Sequence, residues 1–232
     1  MIIPKPQFGP NEHLENIRHG KARKVSPKML ANINKEFTNG FEFIRKYKKA
    51  VSIMGSARSG LQDGIYEEAT KLSFRLSKAG FTIMTGGGPG IMEAANKGAF
   101  EAGGKSVGIN IHLAFEQHTN QYVKESQDFR FFFTRKVMLE YASQIYVFFP
   151  GGFGTMDELF EMITLIQTKK IRRVPIVLVG QKFWGPLLDW LWETVYQKNH
   201  AIEEKDMELY HLADTADEAY EYIKKLPEHL FN

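Results

Sequence analysis

The stretch that decides the fold is residues 144–158, QIYVFFPGGFGTMDE, in which an apolar run is followed by a glycine-rich turn and a helix-like pattern. A second stretch, residues 82–94 (TIMTGGGPGIMEA), has the same order of features. Glycines directly after a strand let an anion approach the first N–H groups of the next helix. Those groups have no partner inside the helix and lie at the positive end of its dipole. The two stretches therefore predict two helix N-termini that share one phosphate-binding crevice.

Short apolar runs of the kind found in buried parallel strands alternate with segments of helical periodicity. The runs predict five strands, at residues 50–54, 81–84, 106–111, 144–149 and 175–179. The periodic segments predict helices at residues 27–49, 65–78, 91–102, 154–169, 184–198 and 216–225. This alternation indicates the α/β class, with a doubly wound, mostly parallel Rossmann-like sheet and helices on both faces. We expect a basic arm over residues 1–26 and a single nucleotide-binding domain over residues 27–232, whose first helix is an addition packed on the sheet or on a partner subunit.

The composition limits the possible chemistry. The chain has 232 residues, 43% of them hydrophobic, which is enough to bury one large core. It has no cysteine, which excludes disulfides, a thiol nucleophile and a cysteine-bound zinc ion. The seven histidines lack metal-ligand spacing, so we predict no metal and no cofactor. No apolar run approaches the ~20 residues of a membrane span and the first residues do not form a signal peptide, so we expect a cytoplasmic protein without a membrane partner.

Positive charge is concentrated in the first part of the chain. Residues 1–50 contain eleven lysines and arginines against four glutamates, although the formal net charge of the whole chain is +3. A basic arm of this kind can bind nucleic acid, and such binding would depend steeply on salt and disappear when the first 25 residues are removed. No aromatic platform or base-reading motif accompanies the charge, so we expect a solvated extension and no nucleic-acid partner.

The glycine-rich stretches do not match the common nucleotide motifs. The last position of the dinucleotide fingerprint G-x-G-x-x-G is Ile91 in the first stretch and Asp157 in the second, which argues against NAD binding. Residues 103–106 (GGKS) resemble the end of an ATP-binding P-loop, but they precede a strand and the required first glycine is Ala99. Ser56 follows the first strand without the G-x-S-x-G pattern of an esterase, so we expect it to contact a nucleotide.

Two polar positions near the glycines are candidates for chemistry. Thr155 and Glu158 are three apart at a helix start, which indicates either a capping box or a carboxylate held beside the ribose of a phosphate-anchored nucleotide. Arg135 follows an aromatic, strand-like run at residues 129–133. A cation in the first turn of a helix opposes the helix dipole, which favours a use of Arg135 in binding phosphate or ribose oxygens over a purely surface position.

These motifs resemble the LOG (Lonely Guy) family of nucleoside 5′-monophosphate phosphoribohydrolases, formerly labelled lysine decarboxylase-like, and its longer bacterial members in particular. The resemblance rests on residues 86–94 (GGGPGIMEA), 134–136 (TRK) and 150–158 (PGGFGTMDE). It implies a Rossmann-like homodimer or higher homo-oligomer that cleaves the N-glycosidic bond of AMP or an N6-substituted AMP. The implied products are the free base and ribose 5-phosphate.

The resemblance also implies roles for individual residues. The catalytic pair would be Arg135 and Glu158, with the carboxylate stabilising an oxocarbenium-like state or activating water. Substrate binding is implied for Ser56, Gly86, Gly87, Gly88, Met92, Glu93, Lys136, Gly151, Gly152, Gly154, Thr155 and Asp157, with the phosphate held by Gly151, Gly152, Gly154 and Thr155. This chain departs from plant-type members at Glu93, where they have glycine, and at Thr134, where they have histidine or glutamate. Both departures concern the base pocket.

Two other functions use the same sequence features. A carrier of a nucleotide or of a molybdopterin-type cofactor would bind through the same turns and release no base. Amino-acid decarboxylation would need a lysine that binds pyridoxal phosphate, and no motif identifies one.

Overall fold

The computed structural model describes residues 26–58, 64–111 and 119–231, so nearly all of the expected basic arm lies outside the described residues. The helices and strands are, in chain order, α1 (Pro27–Ile44), β1 (Ala50–Met54), α2 (Gly64–Lys78), β2 (Thr82–Thr85), α3 (Ile91–Glu101), β3 (Ser106–Ile111), β4 (Glu125–Phe129), α4 (Phe132–Tyr141), β5 (Ile145–Phe148), α5 (Phe153–Gln167), β6 (Ile176–Val179), α6 (Gln181–Trp190), β7 (His211–Ala213) and α7 (Ala216–Lys224). A π-helical segment, Leu191–Lys198, continues α6, and two short 3₁₀ segments, Glu204–Glu208 and Glu228–Phe231, complete the described elements.

The seven strands form one sheet in the order β4-β3-β2-β1-β5-β6-β7, and every neighbouring pair is parallel. The predicted α/β, Rossmann-like class is therefore confirmed, and all five predicted strands are present. Two further strands, β4 and β7, were not predicted. The strand-like interpretation of residues 129–133 is wrong, because β4 ends at Phe129 and α4 begins at Phe132.

The two faces of the sheet are covered by separate sets of helices. One apolar cluster joins α1, α4, α5 and α6 to the sheet, and the other joins α2, α3 and α7 to the opposite face. Alternate residues of a strand point to opposite faces, so Met54 of β1 belongs to the first cluster and Ile53 to the second. This doubly covered sheet explains why the central strands are apolar throughout rather than alternating.

Helix α1 packs on α4 and β4, which fits the expected added helix. The two helices meet closely at Gly40, where a Cβ would lie 2.5 Å from the Met138 sulfur. Ser26 caps the start of α1 by accepting a hydrogen bond from the Met29 N–H at 3.1 Å. The helix ends at Ile44, five residues earlier than predicted, because Tyr47 turns into the core ahead of β1.

No helix in the described part of the chain is long and apolar enough to cross a membrane.

Candidate functional site

The candidate site is a cleft of ≈ 700 Å³ at the carboxyl ends of β1 and β5. These strands are neighbours in the sheet, and the chain order runs in opposite directions on either side of them. Ligands of open α/β sheets bind at this switch point, because the loops on either side diverge and leave a crevice. Both glycine-rich stretches contribute to its wall, the first through Gly86 and the second through residues 151–154.

Ser56, directly after β1, ties the two glycine-rich turns together. Its N–H donates to the Pro150 carbonyl at 3.0 Å, and its carbonyl accepts from the Ile91 N–H at 2.9 Å. Gly90 makes the second contact possible: its φ is +69°, and a Cβ there would lie 2.2 Å from the Ser56 oxygen. The backbone of Ser56 thus builds the cleft, and a contact of its side chain with a nucleotide stays a prediction.

The start of α5 leaves backbone N–H groups open beside the cleft. Gly152 is the N-cap and has no side-chain capping bond, and the first helical bond runs from the Met156 N–H to the Gly152 carbonyl at 3.1 Å. The N–H groups of residues 153–155 precede that bond and are free to meet an anion. Thr155 is the third residue of the helix rather than its cap, so the capping-box alternative for Thr155 and Glu158 is wrong.

Arg135 enters the cleft from α4. Its Nε donates to the Ile109 carbonyl at 3.2 Å, and its guanidinium lies so close to Gly86 that a Cβ there would be 2.2 Å from Nη2. Burial lowers the pKa of Arg135, while the charge of Glu158 raises it. Because an arginine pKa starts above 12, the side chain stays cationic at neutral pH. The site therefore contains a fixed, half-buried positive charge.

Glu158 enters the same cleft from the second turn of α5 and is 7% exposed. Burial raises the pKa of its carboxyl to about 7. The cations Arg135 and Lys136 act in the opposite direction, whereas the carboxylates of Glu161 and Asp157 add to the rise. At neutral pH the group exists in both protonation states, which suits an acid or base that exchanges a proton.

Residues 92–223, more than half of the chain, match the family model described as "Possible lysine decarboxylase". The chain belongs to the LOG family. A cytokinin riboside 5′-monophosphate phosphoribohydrolase of Arabidopsis thaliana is 26% identical over 194 residues, covering 82% of this chain and 87% of the plant protein. The rice enzyme of the same name is 26% identical over 149 residues, covering 63% of this chain and 61% of its own.

A solved structure with the same fold is the molybdenum cofactor carrier protein of Chlamydomonas reinhardtii. It superposes with a TM-score of 0.57 at 21% identity, covering 76% of this chain and 96% of the carrier. At this identity the likeness concerns the fold alone.

Five of the residues implied in substrate binding do not line the cleft of this LOG-family protein; they are Gly87, Gly88, Glu93, Lys136 and Asp157. The remaining seven, Ser56, Gly86, Met92, Gly151, Gly152, Gly154 and Thr155, line it together with Arg135 and Glu158. A binding role for any of them stays a prediction.

Gly87 and Gly88 shape the first turn from behind the cleft. The Gly87 N–H donates to Thr85 Oγ1 at 2.9 Å, and its φ is +73°. Asn120 Nδ2 donates to the carbonyls of both glycines, at 3.2 and 3.0 Å, and to Asn96 Oδ1 at 2.9 Å. These contacts fix the loop that lies against Arg135, and no sequence motif marked Asn96 or Asn120 in advance.

Lys136 points away from the cleft into an ion-pair cluster. Its Nζ lies 2.6 Å from Asp157 Oδ2 and 2.6 Å from Glu161 Oε2, and the lysine side chain is 15% exposed. Burial opposes the charged form, but the hydrogen bonds to these carboxylates raise the pKa of Lys136. The lysine therefore joins α4 to α5 directly behind Glu158, so it affects the site through that acid.

Glu36 of α1 holds the start of α4, and sequence reasoning missed it. Its carboxylate accepts from the N–H groups of Arg130 and Phe131, at 2.9 and 3.3 Å, and from Thr134 Oγ1 at 2.5 Å. Helix α4 has no cap of its own, since Phe131 occupies that position. A carboxylate at this position accepts hydrogen bonds from open N–H groups, and its negative charge interacts favourably with the positive end of the helix dipole. The added helix thus fixes the element that carries Arg135.

Apart from Arg58, an exposed arginine at the cleft mouth, the remaining side chains of the cleft wall are apolar. Its side chains come from four elements and a connecting turn; they include Met54, Ile111, Phe132, Leu139 and Met156. A wall of this kind can pack against the flat face of a base, while Arg135, Thr155 and Glu158 supply polar groups beside the start of α5.

Proposed function

We propose that this protein hydrolyses the N-glycosidic bond of a purine nucleoside 5′-monophosphate, AMP or an N6-substituted AMP, to the free base and ribose 5-phosphate. The observation that carries the proposal is that a half-buried cation, Arg135, and a buried acid, Glu158, reach one cleft beside the open start of α5. The printed activity of the curated relatives, phosphoribohydrolases of cytokinin riboside 5′-monophosphates, supports the same reaction class.

In this proposal the 5′-phosphate lies against the first turn of α5. The N–H groups of residues 153–155 and the helix dipole attract the anion, and Thr155 can donate its hydroxyl. Gly151 has no side chain to crowd this turn. The sugar then extends towards Glu158, which lies farther along the same helix, and the base towards the apolar wall.

The chemical step breaks the bond between C1′ of the ribose and the ring nitrogen of the base. The electron pair of that bond leaves with the base, and positive charge develops on C1′ and the ring oxygen. The Glu158 carboxylate stabilises this charge and accepts a proton as a water oxygen bonds to C1′. The base nitrogen takes a proton from solvent, and Glu158 then releases to solvent the proton that it took from water, which restores the carboxylate. Arg135 holds the ribose or phosphate oxygens in place.

The direct test is an incubation of the purified protein with AMP, GMP, CMP and N6-isopentenyl-AMP, followed by chromatography for free base and an assay for ribose 5-phosphate. We expect base and sugar phosphate to appear in equal amounts from the adenine nucleotides. Glu158→Gln should remove the activity, while Glu161→Gln, on the next turn of the same helix and outside the cleft, should keep most of it.

Two outcomes would replace the proposal. Tight nucleotide binding with every compound left intact would favour a carrier role, such as that named for the Chlamydomonas structure. Carbon dioxide release from an amino acid, dependent on added pyridoxal phosphate, would favour decarboxylation. The second outcome has little support, because the described residues that line the cleft include no lysine to form a Schiff base.

A further inference from the structure

A second groove, which we call the amino-edge groove, lies at the opposite edge of the sheet from the cleft. It has a volume of ≈ 460 Å³ and is bounded by the end of α1, the end of α4 and the loop before β6. The residues that define it here are Phe41, Arg45, Lys48, Tyr141 and Arg172. None of them takes part in the proposed hydrolysis.

The groove is strongly basic. Arg45, Lys48 and Arg172 are exposed, and within the described residues none of them forms an ion pair with a carboxylate. No aspartate or glutamate is found among the described residues of its wall. Three cations around one groove raise the local concentration of anions.

The basic surface continues beyond the groove. Arg172 also lines a neighbouring cavity of ≈ 560 Å³, together with the exposed side chains of Lys169, Lys170 and Arg173. The wall of this second cavity includes Asp206 and Glu208, so its positive charge is partly offset. A chain of anionic groups fits this surface better than one isolated anion, because the cations extend across two adjoining cavities.

Two exposed aromatic rings accompany the cations. Phe41 is 42% exposed and Tyr141 is 52% exposed, and their ring centroids lie 5.7 Å apart at an interplanar angle of 70°. From the sequence alone we expect no nucleic-acid partner, because no aromatic platform accompanies the positive charge. The fold supplies such a platform by bringing Tyr141, from the end of α4, beside Phe41 and the basic segment that follows α1.

We propose that the amino-edge groove binds single-stranded nucleic acid. The phosphates contact Arg45, Lys48 and Arg172, and bases stack on the faces of Phe41 and Tyr141. Unpaired cations that follow the backbone and aromatic rings that take the bases are the two elements of sequence-tolerant single-strand binding. An acidic protein segment would use the cations but would have no use for the rings.

The first experiment uses the full chain and a fluorescein-labelled 12-residue oligouridylate in fluorescence anisotropy, with oligothymidylate to compare RNA with DNA. An abasic oligonucleotide of the same length carries the same phosphates without bases. We expect it to bind at least about fivefold more weakly, since stacking on an aromatic ring contributes at least that factor per base. The logarithm of affinity should fall with the logarithm of salt by about 0.7 for each phosphate contact. Equal binding of the abasic strand would overturn the proposal in favour of a general polyanion surface.

The second experiment compares matched variants. Arg45→Glu/Arg172→Glu should abolish measurable binding. The control Lys28→Glu/Lys182→Glu changes the net charge equally, at exposed positions outside the groove. Measured at a salt concentration that suppresses non-specific binding, it should bind within about twofold of the unmodified protein. Phe41→Ala/Tyr141→Ala should lose the preference for the strand with bases and keep the salt slope, and Phe183→Ala/Trp190→Ala should change neither.

Hydrolysis of AMP, or AMP binding if no hydrolysis occurs, checks that each variant is folded. Equal loss in the two charge-reversal pairs would contradict a localised site. Full retention after Arg45→Glu/Arg172→Glu would also contradict it, because binding would then depend on the arm at residues 1–25. Millimolar AMP should not displace the strand, and displacement would instead assign the binding to the cleft.

Discussion

Glu158 is the residue on which the proposed chemistry depends most. Replacing its carboxylate with an amide removes both the negative charge and the proton acceptor while preserving size. Removing one preorganised electrostatic group commonly lowers turnover by about 10²–10³-fold, so Glu158→Gln should lose that much in kcat with little change in KM. Steady-state rates of base release measure both. A variant that matched the parent in kcat would show that this acid takes no part in the rate-limiting step.

The raised pKa of Glu158 predicts how activity varies with pH. The general base must be ionised, and burial raises its pKa to about 7. Activity should therefore fall as the pH drops below about 7 and level off above it, in kcat/KM measured from pH 5 to 9. If the fall in activity at low pH, the acid limb of the profile, had its midpoint near pH 4.5, Glu158 would titrate as an exposed carboxyl group.

Lys136 provides a separate test of the same electrostatics. Its positive charge lowers the pKa of Glu158, so Lys136→Met should move the acid limb to higher pH. Removing it also leaves Asp157 and Glu161 without their cation, which acts in the same direction. Lys97→Met, which breaks an ion pair with Glu101 on α3, is the matched control and should leave the limb unchanged. An unshifted limb in both variants would show that the cluster does not reach the acid.

Arg135 and Glu158 both line the cleft, as the sequence led us to expect, whereas five of the other predicted site residues do not line it. Motif glycines and charged neighbours look alike in a sequence, whether they face the cleft or support it. Gly86 faces Arg135, whereas Gly87, the next residue, packs against Asn110 on the far side of the turn. The direction in which each residue points depends on the backbone torsion angles of the turn, and the spacing of residues in the sequence does not reveal those angles.

The start of α5 offers a steric test with an internal control. A Cβ at Gly151 would lie 2.0 Å from Thr155 Oγ1 and 3.0 Å from the Ser56 nitrogen, whereas a Cβ at Gly154 meets no described atom within 4 Å. Gly151→Ala should therefore distort the turn and weaken AMP binding by at least tenfold, measured by calorimetry or by KM, since phosphate contacts are sensitive to shifts of about 1 Å. Gly154→Ala should fold normally. Equal affinity in the two variants would contradict a close approach of Gly151 to the site.

Glu36 provides a test of how α1 supports α4. Glu36→Ala removes the carboxylate that caps α4, and loss of a cap costs about 0.5–2 kcal/mol of stability. Because Arg135 follows that cap by one turn, we expect a lower free energy of unfolding in urea and a lower kcat/KM for AMP. Glu42→Ala, at an exposed position of the same helix, should change neither. Normal kinetics in a destabilised Glu36→Ala protein would limit α1 to a structural role.

Elements with an apolar signal were predictable, and those without one were not. The central strands are buried along their whole length and therefore appear in the sequence as apolar runs. Strand β4 (Glu125–Phe129) lies at the edge of the sheet with mostly exposed polar side chains, and β7 has three residues. The aromatic run after β4 has a strand-like composition, but the Glu36 carboxylate draws its backbone into the start of a helix. A tertiary contact thus determines the helical conformation of that segment, and the local sequence carries no signal for that contact.

At the scale of the whole molecule, the parallel sheet separates the two proposed binding surfaces. The cleft lies at the carboxyl ends of the strands, where helix N-termini gather, and the amino-edge groove lies where helices end and lysines and arginines cluster. In a parallel α/β fold every crossover helix runs antiparallel to the strands, so the two edges differ in dipole sign and in the chemistry they can attract. The two surfaces have no lining residue in common.

This separation predicts that a nucleotide and a single strand bind independently. In the Glu158→Gln protein, which should bind AMP without consuming it, AMP at 100 times its Kd should stabilise the fold by about 2.7 kcal/mol. For a chain of this length such a gain corresponds to a rise in Tm of about 5–10 °C in a thermal melt. A saturating oligouridylate should add its own rise on top, because each ligand contributes separately when the sites do not interact. If the oligonucleotide gave no further rise in the presence of AMP, or lowered AMP affinity, the two would share one site or be coupled through the sheet, and a separate amino-edge site would be wrong.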